Sequence, residues 1–145
     1  MKDLKYLYLI LIITSSCLTS LVCAIGLDDS ARSFVDFRIA IRADSPDLLT
    51  LAIQAAGNIE DSRWGIAGIT PLHEAALEGK VWAIDHLLDA GVNVDVASDA
   101  GKTPLETAIR HHKTAAALRL IELGANRNNM LELTDDPLIR AALES

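Results

Sequence analysis

The chain has 145 residues and a formal net charge of −7, with 50% apolar and 23% charged residues. This length fits one domain with at most an appendage, and this composition excludes wholesale disorder and a polytopic membrane protein. An acidic chain without a basic patch also excludes a nucleic-acid-binding protein that works by neutralising phosphates.

The first predicted element is a leader over residues 1–24. Lys2 and Lys5 precede an apolar run, and Val22-Cys23-Ala24 ends it with the small-residue pattern of a signal-peptidase site. This order is typical of a secretory signal peptide, so we expect cleavage after Ala24. Two alternatives stay open. The charge-free run of about 20 residues is long enough to act as an uncleaved membrane anchor, and Cys17 is a candidate for lipid attachment.

The remaining 121 residues, 25–145, form the predicted domain. Both cysteines and two of the basic side chains lie in the leader, which leaves this domain without cysteine and with a net charge of −8. Exported small domains often depend on disulfides, so this one must be stabilised by packing alone.

The domain contains a repeat with a period of 33 residues, the kind of period that indicates stacked structural units. Six residues recur at this offset: Gly68, Thr70, Pro71, Leu72, Ala75 and Gly91 recur as Gly101, Thr103, Pro104, Leu105, Ala108 and Gly124. Residues 37–61 match the repeat loosely and form a degenerate copy. A further shift of 33 reaches residues 136–144, which predicts the first helix of one more, truncated unit.

Each full unit is predicted to contain two helices. Thr70 and Thr103 are N-cap residues, and each is followed by a proline at the first helical position, where a missing N–H costs nothing. The second helix of the first full unit spans about 81–90, with apolar residues at helical spacing. Gly91 supplies the left-handed stop.

The segments Thr70-Pro71-Leu72-His73-Glu74-Ala75-Ala76 and Leu87-Leu88-Asp89-Ala90-Gly91-Val92 resemble the ankyrin repeat. The resemblance implies an all-α solenoid of about 3.5 helix-turn-helix units with short β-hairpin loops. Its units are a degenerate repeat at about 34–67, repeats at 68–100 and 101–133, and a C-terminal half-repeat cap at 134–145. Glu106 departs from the family pattern, because a histidine is expected there.

No catalytic, cofactor-binding or metal site is expected. The sequence lacks the common nucleophile, zinc-binding and phosphate-binding motifs. His73 is the motif histidine that braces a helix start. His111 and His112 are adjacent, so on a helix they point roughly 100° apart, and the domain offers no cysteine to join them.

The resemblance implies that protein partners contact the hairpin tips and the exposed face of each first helix. The candidate contact residues are Trp64, Ile66, Ile69, Leu77, Glu78, Asp99, Lys102, Arg110 and His111. The apolar members are expected to form the anchor and the charged members a rim of mixed sign. An alternative is that Trp64 and Ile66 fold back over the first repeat. Trp82 is likewise either a second contact or a lid over that repeat.

The expected function is non-catalytic protein binding by an exported monomer that regulates, protects or inhibits one protein, such as an enzyme or a toxin. The leader is bacterial in type and favours the periplasm of a Gram-negative bacterium. One alternative is a small-ligand role, with haem or metal handled by His111 and His112, or an accessory role to a periplasmic enzyme. Another is a secreted effector that acts on host proteins.

Overall fold

The structure is a computed structural model that describes residues 37–56, 58, 59, 62, 63 and 65–145. A helical segment at residues 37–42 comes first. It is followed by α1 (Pro46–Ala55), α2 (Pro71–Glu78), α3 (Val81–Asp89), α4 (Pro104–Arg110), α5 (Thr114–Glu122), a 3-10 turn (Leu131–Leu133) and α6 (Pro137–Glu144). The predicted leader and Trp64 lie outside the described residues.

The helices stack in two rows. α2 packs on α4 in the first row, whereas α3 packs on both α1 and α5 in the second row. Within each full unit the two rows are joined, because α2 packs on α3 and α4 packs on α5. The predicted all-α solenoid is therefore confirmed.

The predicted hairpin loops take the form of tight turns. The Gly68 amide donates to the Gly65 carbonyl at 3.2 Å, and the Gly101 amide donates to the Ser98 carbonyl at 2.8 Å. Ile69, directly after the first turn, forms an isolated β-bridge, and no longer strand occurs among the described residues.

The first-row helices begin where the sequence places them. Thr103 Oγ1 accepts a hydrogen bond from the Glu106 amide at 3.2 Å, and each of the two helices has a proline in its first turn. Leu72 and Leu105, which follow these prolines, are completely buried. Burying an aliphatic side chain of this size contributes about 1.5 to 3 kcal/mol, so the helix starts are fixed by packing as well as by capping.

The degenerate first copy forms a folded unit. Phe37, Ile41 and Leu49 are completely buried, and Arg38 and Arg42 form ion pairs with Glu74 and Glu78 of the next unit at 3.0 and 2.9 Å. The loss of the sequence motif has therefore not removed the apolar face of this copy.

Trp82 covers the first unit. Its side chain is half-buried, and its Nε1 donates to Asp44 Oδ1 at 2.6 Å, in the turn before α1. Lys80 forms an ion pair with the same carboxylate at 3.0 Å. The hydrogen bond from Lys80, and to a smaller extent the one from Trp82, holds the pKa of Asp44 below its usual value. Of the two interpretations of Trp82, the structure supports the lid.

His73 connects two units through both ring nitrogens. Its Nε2 lies 2.8 Å from the backbone carbonyl of Lys102, and its Nδ1 lies 2.8 Å from Thr70 Oγ1. A carbonyl only accepts, so Nε2 carries the proton and Nδ1 accepts from Thr70. This neutral form is favoured because burial lowers the pKa of His73 below its usual value. The structural role predicted for His73 agrees with this geometry.

The last helix lies in the second row. α6 packs on α5, and the 3-10 turn packs on α4 in the place of a first helix. The Asp136 carboxylate fixes this position, because it caps α6 at the Leu138 amide and accepts a hydrogen bond from Thr114 Oγ1 at the start of α5. The bond from Thr114 contributes most to lowering the pKa of Asp136. The prediction of a further first helix at 136–144 is therefore wrong in its placement, although the helix forms there.

We predict opposite effects for two neighbouring substitutions in α6. Ile139 is 1% exposed and Leu138 is 61% exposed. Ile139→Ala should lower the free energy of unfolding by about 2 to 5 kcal/mol because it empties a buried site. Leu138→Ala should change it by about 0.5 kcal/mol or less. Urea unfolding followed by circular dichroism measures both values, and a larger loss for Leu138→Ala would show that α6 occupies the first row.

We also predict that His73 makes stability depend on pH. Because its folded pKa lies below the unfolded value of about 6.5, the unfolded chain binds more protons just below that pH. Stability is therefore complete above pH about 6.5 and falls as the pH decreases, with a slope of at most about 1.4 kcal/mol per pH unit. In thermal melts between pH about 7.5 and 5.5, the melting temperature should fall less steeply with decreasing pH for His73→Gln than for the wild type. Equal slopes would rule out this role for His73.

Candidate interaction surface

A cavity of about 180 Å³ lies between the first-row helices and the turns beside them, and it is here called the groove cavity. It lies between α2 and α4, below the turns at 65–68 and 98–101. Its lining residues are Ala67, Ile69, His73, Leu77, Ser98, Ala100, Lys102, Thr107, Arg110 and His111. Each full repeat therefore contributes a helix face to the cavity, and the turns that precede the two repeats border it.

The structure brings five of the nine candidate contact residues together in this cavity. Ile69 and Leu77 come from one repeat, and Lys102, Arg110 and His111 come from the next. The two apolar side chains are half-buried, so each presents part of its surface to the cavity. Ile66, Glu78 and Asp99 do not line it, and Trp64 lies outside the described residues.

Ile66 stands free at the tip of the turn at 65–68. Its exposure of 107% means that the side chain is as accessible as in an isolated peptide. The alternative that Ile66 folds back over the first repeat is therefore wrong, whereas Trp64 lies outside the described residues. Its side chain is therefore available for contact beside the cavity.

Glu78 and Asp99 are engaged in ion pairs within the chain. Glu78 pairs with Arg42 at 2.9 Å, and Asp99 pairs with Arg63 at 2.9 Å. Neither carboxylate lines the cavity with Lys102 and Arg110, and each is paired with an arginine of the preceding unit.

A signal for these ion pairs is present in the sequence. The pairs Arg38–Glu74, Arg42–Glu78 and Arg63–Asp99 are each separated by 36 residues. This separation is close to the repeat length, so it joins neighbouring positions of stacked units. Opposite charges recurring at such a spacing predict a ladder of ion pairs between units.

Two polar residues of the cavity, Ser98 and Thr107, were not predicted. Ser98 is buried and its Oγ accepts from the Lys102 amide at 3.1 Å, and Thr107 Oγ1 donates to the Thr103 carbonyl at 3.1 Å. Thr107 lies three and four residues before Arg110 and His111, so helical spacing alone indicates that the three share one face.

The two turns above the cavity are fixed to each other. The Asp99 amide donates to the Ala67 carbonyl at 3.1 Å, and Arg63 donates to the Ala97 carbonyl at 3.0 Å. Gly68 has φ +55°, and a Cβ atom there would lie 2.1 Å from the Asp99 carboxyl group. The site is thus largely preorganised, which reduces the entropy lost when a partner binds.

His111 and His112 were expected to lie on one helix, but they do not. α4 ends at Arg110, and His112 has φ +54° in the turn that follows. Within residues 37–145, leaving out the undescribed positions, no group of three or more His, Cys, Asp or Glu side chains is arranged to hold a metal ion. In the same part of the chain no helix is long and apolar enough to cross a membrane.

Curated proteins with a related sequence share one short stretch with this chain. Palmitoyltransferase ZDHHC13 of Mus musculus is 46% identical over 41 residues, and the Homo sapiens protein of that name is 45% identical over 42 residues. These matches cover 28% and 29% of this chain but only 7% of each relative. The transferase activity in that name belongs to those proteins.

The likeness to a solved structure and to a family model extends over most of the solenoid. The ankyrin repeat domain of Bcl-3, a member of the IkappaB family, superposes with a TM-score of 0.66 at 18% identity over 75% of this chain and 50% of that one. This likeness shows the fold. A family model described as ankyrin repeats in three copies matches residues 37–130. The chain therefore belongs to the ankyrin-repeat family.

Proposed function

We propose that this chain is an exported protein-interaction module that binds one protein partner in the groove cavity and at the turns beside it. Ankyrin-repeat domains are generally protein-binding modules and typically not enzymes. The observation that carries the proposal is the groove cavity itself, because two consecutive repeats contribute apolar and basic side chains to one preorganised hollow.

The apolar side of the cavity supports a protein ligand. Ile69 and Leu77 offer half-buried aliphatic surface, and Ile66 projects fully exposed from the adjacent turn. Binding energy in protein interfaces is concentrated in a few apolar anchors that become desolvated, while surrounding polar groups exclude water. We therefore assign the anchor role to these three side chains.

The place of action is proposed from the leader. Residues 1–24 have the basic, apolar and small-residue regions of a signal peptide, and the domain that follows contains no cysteine. We propose that the domain acts in the periplasm of a Gram-negative bacterium, where it regulates, protects or inhibits its partner. Recovery of the protein from the culture medium instead would favour the secreted effector.

A leucine-to-glutamate substitution at the cavity tests the site. Leu77→Glu should weaken partner binding by about 2 kcal/mol or more, on the order of thirtyfold, because it places a charge at the desolvated anchor. The tagged full chain, recovered from the exported fraction, captures the partner, and calorimetry measures the affinity.

The matched control is Leu51→Glu on α1, where the leucine is 54% exposed and lies in the second row. Asp85 is unsuitable as a control because it forms an ion pair with Arg119 at 2.8 Å. Both leucine variants should retain the helicity of the wild type, and Leu77→Ala serves where Leu77→Glu lowers the melting temperature. Equal affinity of the Leu77 variants and the Leu51 control would contradict the proposed site.

A further inference from the structure

We infer that the ligand of the groove cavity is an acidic peptide segment of the partner that inserts one aliphatic side chain. This inference rests on the proposed function, since it names the chemistry of the ligand at the same site. It follows from the sign of the charges that line the cavity, from the partners of the nearby carboxylates, and from the size and polarity of the hollow.

The charges that line the cavity contrast with the charge of the chain. The chain is acidic, with a net charge of −7, yet Lys102, Arg110 and His111 line the cavity and no aspartate or glutamate of the described residues does. Lys102 has an exposed side chain and forms no ion pair with any described residue. At physiological ionic strength charges act over about 8 Å, so the charge that a bound segment meets is set by the groups that line the cavity and by the partners of the carboxylates close to it.

The carboxylates of the first-row helices are already neutralised by arginines of this chain. Glu74 is nearly buried between Arg38 and Arg42, at 3.0 and 3.3 Å. Glu78 also pairs with Arg42. On α4, Glu106 accepts a hydrogen bond from Arg110 Nε at 2.7 Å. This bond holds the Arg110 guanidinium at the cavity, and its other two nitrogens carry further N–H donors. The face therefore offers donors to a ligand rather than acceptors.

The apolar part of the cavity sets the size of the inserted group. Ala67, Ile69, Leu77 and Ala100 form the apolar lining of a hollow of about 180 Å³. An engineered cavity of about 150 Å³ is large enough for benzene. One branched aliphatic side chain of the partner fits such a space, and its flanking carboxylates then lie beside Lys102 and Arg110.

A peptide fits this arrangement better than a nucleic acid. The basic groups occupy one cavity and do not form a stripe along the solenoid, whereas a phosphate backbone requires a row of cations and is repelled by an acidic chain. The mixture of aliphatic lining and a few cations instead matches alternating carboxylate and aliphatic side chains.

The test is a selection of displayed random peptides of about 12 residues against the full chain, followed by solution affinities of the peptides obtained. We expect the selected sequences to be enriched in Asp and Glu around one Leu, Ile or Val. Replacing their acidic residues by the matching amides should weaken binding at least tenfold, and raising the salt concentration should weaken it further.

The variants separate local charge from total charge. Lys102→Glu changes the charge at the cavity, and Arg127→Glu makes the same change in net charge at an exposed loop position that does not line it. We expect at least tenfold weaker peptide binding for Lys102→Glu and less than twofold for Arg127→Glu. Equal effects of the two variants would overturn the inference, and Lys102→Gln should give an intermediate loss.

The outcomes distinguish a wrong ligand from a wrong site. Selected peptides without an acidic excess, or no selected peptide at all, overturn the acidic-segment inference. If Leu77→Glu still weakens capture of the natural partner in that case, the proposed function stands. Tight binding of a fluorescein-labelled single-stranded oligonucleotide that is lost in Lys102→Glu would also overturn the inference, since the cavity would then recognise phosphate.

Discussion

A single helix pair of this chain has too little apolar surface to bury itself, and the whole structure depends on the stacking that this constraint imposes. Leu72 and Leu105 are completely buried because each lies between its own second helix and a neighbouring unit. Alanines at the equivalent positions 75 and 108 keep the first-row helices thin enough to pack closely. The His73 ring also joins neighbouring units, because its Nε2 donates a hydrogen bond to the Lys102 carbonyl of the next unit.

The stacking also determines where the charges of the chain are used. Neighbouring units place residues about one repeat apart in contact, so Arg42 reaches Glu78 in the first row and Arg119 reaches Asp85 in the second. Ion pairs of this kind engage the carboxylates of the first-row helices, whereas Lys102 and Arg110 line the groove cavity. Lys102 and Arg110 thus line the cavity of an acidic chain without any local run of basic residues in the sequence.

The sequence predicted best those features that depend on one unit alone. The helix starts at Thr70 and Thr103 and the burial of the leucines after them follow from capping and from helical spacing, which the 33-residue period repeats. Leu138 carries the same motif position as Leu72 but is exposed, because its burial depends on which helix α6 meets. The partners of Glu78, Asp99 and Trp82 were missed for the same reason, since each lies in an adjacent unit.

The central claim is that the partner binds the first row of helices at the groove cavity. Hydrogen exchange of the full chain, with and without the captured partner, measures this most directly, because bound surfaces gain protection of their backbone amides. We expect added protection in the turns at 65–68 and 98–101 and in α2 and α4, with α3 and α5 unchanged. Protection confined to α3 and α5 would contradict it.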